Sequence, residues 1–118
     1  MILGGRYQGK RAYAEELYGG FSVVSDLEHT DAILPGLVVN VHLGVRRGLG
    51  CEFFEERLDV LRECVVICTE ISGGIVPVDE AERRWREETG KIYQLLAREA
   101  ETVDRVFAGL AVRLKPES

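Results

Sequence analysis

The run Cys64-Val65-Val66-Ile67-Cys68-Thr69 constrains the fold more than any other stretch of this chain. It is continuously apolar and mostly β-branched, without the alternation of a strand that has one face in water, so it reads as a strand covered on both faces. Such a strand belongs at the centre of a parallel sheet. The 118 residues fit one domain, 1–118, and 46% hydrophobic against 30% charged residues is enough to build a single core. Only the tail from Lys115 to Ser118 is expected to lack order.

The other elements fall around that strand. Met1 to Leu3 reads as a short strand, Lys10 to Tyr18 as a helix stopped by Gly19-Gly20, and Phe21 to Ser25 as a second strand. Leu37 to Leu49 and Glu52 to Arg62 have apolar residues at helical spacing, the latter at Phe54, Leu58 and Leu61, and both are expected to be helices. Asp79 to Ala100 is the clearest helix: Asp79 and Glu82 have capping-box spacing, and Trp85, Ile92, Leu96 and Ala100 form one stripe. Thr102 to Phe107 and Ala111 to Leu114 alternate around Gly109 and read as a closing hairpin. Strands separated by helices imply a layered α/β fold.

Between the first strand and the first helix stands Gly4-Gly5-Arg6-Tyr7-Gln8-Gly9-Lys10-Arg11, which satisfies the Gly-x-x-x-x-Gly-Lys spacing of a phosphate-binding loop. Glycines let the backbone turn and bring its N–H groups to a phosphate, and Lys10 would neutralise the phosphate oxygens. The helix that follows adds its N-terminal dipole. The expected fold is therefore P-loop NTPase-like: three layers, a mostly parallel central sheet and a C-terminal strand pair. The loop departs from the pattern at Arg11, where a serine or threonine hydroxyl would hold Mg²⁺. A site that binds phosphate with Arg11 in place of the ion, and a glycine turn that is only structural, both fit the residues.

Glu70 follows the central strand at the sheet edge where α/β proteins bind ligands, and is a candidate to orient Mg²⁺. A loop-stabilising carboxylate is the alternative. His42, Arg46 and Arg47 lie close in sequence and could contact an anion. His29 sits in an acidic, loop-like stretch and reads as surface.

The segment Glu70-Ile71-Ser72-Gly73-Gly74-Ile75-Val76-Pro77 is similar to the Glu-Val-Gly-x-Gly-Ile-Val-Pro signature of the adenosylcobinamide kinase/guanylyltransferase family. Arg84-Trp85-Arg86-Glu87, Gly90, Gln94 and Ala97 resemble that family's long-helix pattern, and Gly109 with Leu114-Lys115 its closing strands. The resemblance implies a nucleotide enzyme of cobalamin assembly that phosphorylates adenosylcobinamide and transfers GMP onto the phosphate. It further implies ATP or GTP with Mg²⁺ as cofactors, a homo-oligomer, typically a trimer, and roles for Gly4, Gly5, Gly9, Lys10 and Glu70. The sequence departs from the family at Arg11, Thr69 and Tyr93, and the segment that carries the family's guanylylated histidine is much shorter here. A non-catalytic relative that binds nucleotide or corrinoid, or partners another enzyme, is the competing expectation.

A net charge of −5 argues against a nucleic-acid or anionic-membrane partner, so any bound anion must be gripped locally. With no apolar stretch of membrane-spanning length and no signal-peptide pattern at its start, the chain is expected to be cytoplasmic. Cys51, Cys64 and Cys68 have no zinc or redox spacing, and Cys64 and Cys68 read as buried, reduced hydrophobes.

Overall fold

A computed structural model describes residues 1–71 and 79–116 of the chain. In chain order its elements are β1 (Ile2–Gly4), α1 (Lys10–Tyr18), β2 (Val24–Asp26), β3 (Leu37–Val39), α2 (Val41–Arg46), α3 (Cys51–Glu55), α4 (Leu58–Leu61), β4 (Val65–Thr69), α5 (Glu80–Glu99), β5 (Val103–Phe107) and β6 (Leu110–Lys115). Among the described residues the strands form one sheet in the order β2-β3-β4-β1-β5-β6. All neighbours are parallel except the closing pair, β5 and β6. The P-loop NTPase-like α/β architecture expected from the sequence is the one observed.

β4 lies between β3 and β1, and its side chains divide between the two faces of the sheet. Ile67 joins Ile2, Ala14, Leu37 and Val106 beneath α1, while Val66 and Cys68 join Phe54, Leu61, Ile92 and Leu96 beneath α3, α4 and α5. Both clusters exclude water, which is why the run has no polar alternation; full burial of each such side chain is worth about 1.5 to 3 kcal/mol. Helices on both faces give the three layers.

Asp79 caps α5, its carboxylate accepting from the Glu82 amide at 2.7 Å. The buried face of α5 consists of Thr89, Ile92, Leu95 and Leu96; Trp85 and Ala100 are only partly covered. At the hairpin tip Ala108 (φ 50°) and Gly109 (φ 78°) both take positive φ, as a two-residue turn that matches strand twist requires.

Three expectations about the elements need correction. Leu37 to Leu49 is not one helix: Leu37–Val39 is strand β3, paired between β2 and β4, and only Val41–Arg46 is helical. Asn40, in the left-handed conformation (φ 59°), makes the switch. Glu52 to Arg62 is two short helices, because Arg57 leaves helical geometry (φ −114°) and α4 restarts after it. The second strand is shifted to Val24–Asp26.

Lys115 is ordered, ending β6 and donating from Nζ to the carbonyls of Ala97 and Arg98 at 3.2 and 2.8 Å. Among the cysteines, all free, Cys68 is fully buried with its thiol pushed up to about 12 by burial, whereas Cys64 is partly exposed and donates to the Val60 carbonyl at 3.1 Å. None of the described helices is long and apolar enough to cross a membrane.

Candidate phosphate-binding site

The residues flanked by β1 and α1 are shaped by close backbone approach. Gly4 pairs with Thr69 of β4 on one side and Val106 of β5 on the other. A Cβ there would stand 2.6 Å from the Val106 carbonyl oxygen, nearer than real Cβ atoms come, so the position excludes any side chain. Tyr7 (φ 56°) and Gly9 (φ 95°) then turn the chain into α1, where the Gly9 carbonyl accepts the first helical bond from Tyr13 at 2.9 Å.

The hairpin tip holds the loop from the far side. The Gly109 amide donates to the Gln8 carbonyl at 2.9 Å and the Ala108 amide to Gln8 Oε1 at 2.6 Å. Sequence reasoning had no signal for this clamp, which joins residues 100 positions apart.

Lys10 is buried and curls back over the loop, its Nζ donating to the Gly5 carbonyl at 2.5 Å. Burial pushes the ammonium below its usual pKa, and the negative charge of Glu70 opposes that shift. Arg6 and Arg11 are exposed and make no hydrogen bond or ion pair among the described residues. Tyr7, 96% exposed, stands at the loop's outer turn.

Glu70 lies beside this loop, its amide donating to the Gly4 carbonyl at 2.8 Å. Its carboxylate is not free. Arg105 of β5 grips it with two parallel bonds, Nε to Oε1 at 2.8 Å and Nη2 to Oε2 at 3.0 Å. With both oxygens on a guanidinium and an arginine at position 11 in place of a hydroxyl, these residues do not fit a dedicated Mg²⁺ site. Sequence reasoning missed Arg105 because its proximity to Glu70 depends on strand order. The rest of the resembling segment, Ser72 to Pro77, lies outside the described residues.

His42 reaches the same neighbourhood from α2. It is 8% exposed, its carbonyl accepts from the Trp85 indole at 2.7 Å, and its ring sits 6.3 Å from the Trp85 ring. Its Nδ1 has no partner among the described residues. Burial holds its pKa below the usual value, and the charges of Arg6, Lys10 and Arg46 push the same way, with Glu28 opposing. Arg46 and Arg47, expected to contact an anion, are otherwise engaged. Arg46 lies 3.7 Å over the Trp85 ring and pairs with Glu82 at 3.0 Å, and Arg47 donates to the Leu27 carbonyl at 2.8 Å. His29 is exposed beside Asp26 and Glu28.

Tyr93 on α5 donates to the Thr69 carbonyl at 2.6 Å. Thr89, four residues from both Trp85 and Tyr93 and so on their face of α5, is fully buried with Oγ1 unpartnered among the described residues.

A parallel sheet whose first strand turns through a glycine loop into a helix, with a lysine folded over that loop, defines a P-loop-like α/β protein. Residues 51–114, more than half of the chain, match the model of the cobinamide kinase / cobinamide phosphate guanyltransferase family. The chain belongs to that family, and so to a nucleotide-handling family of cobalamin biosynthesis. The match runs from α3 to β6 and takes in Glu70, Trp85 and Arg105; Gly4 to Lys10 and His42 lie before it. No individual curated protein matches the chain.

Proposed function

We propose that this chain binds the phosphates of ATP or GTP at Gly4, Gly5, Arg6, Tyr7, Gln8, Gly9, Lys10 and Arg11, in the service of cobalamin biosynthesis. One observation carries the reading: Lys10 lies folded over a loop that opens on two glycines, at the carboxyl edge of the parallel strands. A phosphate would displace the Gly5 carbonyl as partner of Nζ and gain the loop amides, the α1 dipole and the two spare guanidiniums.

The chain is a binding protein whose own residues leave the metal-dependent transfer centre unassembled. The Glu70–Arg105 pair and Arg11 favour this over a kinase or guanylyltransferase of the family's described kind. Adenosylcobinamide is the corrinoid partner that family membership suggests. Phe107, Leu110, Val112 and Leu114, exposed along the closing strands, form the surface that a homo-oligomer would cover.

Calorimetric titration of the wild type and Lys10→Ala with ATP and GTP tests the reading. Saturable binding that Lys10→Ala weakens supports it; equal binding by both proteins places the nucleotide elsewhere. Turnover of adenosylcobinamide by either nucleotide with Mg²⁺ would overturn the non-catalytic assignment.

A further inference from the structure

His42 is a buried titratable group to which the binding reading gives no task. Its place is fixed: the backbone is tied to Trp85 by the indole hydrogen bond, and only 8% of the residue reaches solvent. A polar nitrogen buried in this way normally has a partner, and Nδ1 has none among the described residues.

α2 starts where β3 ends and the phosphate loop starts where β1 ends, and these parallel strands flank β4, so His42 and the loop share one edge of the sheet. Arg6 and Lys10 act from the phosphate loop, Arg46 from α2 itself, and Glu28 from the turn after β2. From α5 the neighbour is the uncharged Trp85, while Glu82 is taken up by Arg46 and lies 3.6 Å from Arg86. The balance is positive, and the cations that dominate it are those that would face a bound phosphate. An anion carrying several negative charges at the loop therefore opposes the positive field at His42.

We propose that phosphate binding at the loop is coupled to proton uptake by His42: the ring is neutral in the free protein and takes one proton from solvent when a polyphosphate occupies the site. No other bond forms or breaks. The proton satisfies the ring in the anion's field, and the imidazolium adds a buried positive charge to the site. By linkage, whatever factor the anion contributes to the proton affinity of His42, the proton contributes to the anion affinity of the loop. The inference rests on the phosphate-loop reading above.

The chain has two histidines, and His29 is exposed, so it serves as an internal control. Imidazole resonances of ¹⁵N-labelled wild-type protein would be followed from pH 5 to 8, with and without saturating inorganic tripolyphosphate, alongside the amide resonances of Gly5 to Lys10. The coupling predicts that the His42 midpoint rises by about one pH unit, a tenfold gain in proton affinity, while that of His29 barely moves. In parallel, tripolyphosphate affinity should rise by part of that factor between pH 8 and pH 6 beyond any change seen in His42→Asn. Loop amides that saturate while the His42 midpoint stays fixed would overturn the coupling and leave the loop reading intact. Failure of the loop amides to respond at all would overturn both.

Discussion

Lys10, at the start of α1 after the loop that leaves β1, and Glu70, just past β4, lie at the same edge of two neighbouring strands, and the structure treats them in opposite ways. Lys10 is buried, has no carboxylate partner among the described residues and rests on a main-chain oxygen that a phosphate can replace. Glu70 is closed by a bidentate arginine. The difference teaches what the edge is organised to hold. Its acid is paired and its lysine has no acidic partner, with Arg6 and Arg11 unengaged among the described residues, which is what supports the proposal of a local anion site on a protein of net charge −5.

Substitutions at the two positions can break this comparison. The largest effect is expected for Lys10→Ala, which should weaken triphosphate binding by about 1.5 to 3 kcal/mol, the range of hydrogen bonds to charged groups. Calorimetry checks it, and Glu70→Gln should by contrast leave affinity unchanged or slightly improved. Gly4→Ala should cost about 1 to 3 kcal/mol of fold stability, since the added methyl drives into the Val106 carbonyl and cannot be relieved by a rotamer; chemical denaturation measures it.

A smaller effect is expected for Arg105→Ala. Freeing Glu70 beside the loop should lower triphosphate affinity about two- to fivefold without Mg²⁺, the scale of a partly solvated ion pair, and give back part of the loss when Mg²⁺ is added. Titrations with and without the ion decide whether the arginine is what closes the acid. Val112→Lys, on the exposed strand β6, should change stability by less than about 0.5 kcal/mol yet shift any self-association towards the monomer in light scattering.

Acid should weaken the free fold through His42. The unfolded ring binds a proton with a pKa of about 6.5, while the folded ring's pKa is lowered by burial first and then by Arg6, Lys10 and Arg46. Below that pH the unfolded state holds more protons, so stability falls as pH drops and is fully kept above it. Melting curves of the wild type and His42→Asn would separate this contribution.

What was legible in the sequence follows the length of each signal. Cys64 to Thr69 and Asp79 to Ala100 are long enough for pattern to decide, and both lie within one or two residues of β4 and α5. β3 was missed because three apolar residues run through Asn40 directly into the six of α2, and together they imitate a helical spacing. The break between α3 and α4 falls at Arg57, whose guanidinium packs over Phe53 at 3.8 Å and bonds its carbonyl at 2.9 Å, a local side-chain arrangement with no propensity signature.

At the site, the loop was legible because spacing and context are local. The clamp of Gln8 by Ala108 and Gly109, the closure of Glu70 by Arg105 and the burial of His42 were not, because each joins elements that only the strand order brings together.

The central claim is that Gly4 to Lys10 form a working anion site, and amide hydrogen exchange with and without GTP, in the absence of Mg²⁺, tests it most directly. The account predicts slower exchange confined to the amides of Gly5 to Lys10 and the clamping amides of Ala108 and Gly109. Protection instead around the cavity of about 450 Å³ at the opposite sheet edge, lined by Leu58, Leu61, Val66 and Leu96, or no protection anywhere, would contradict it.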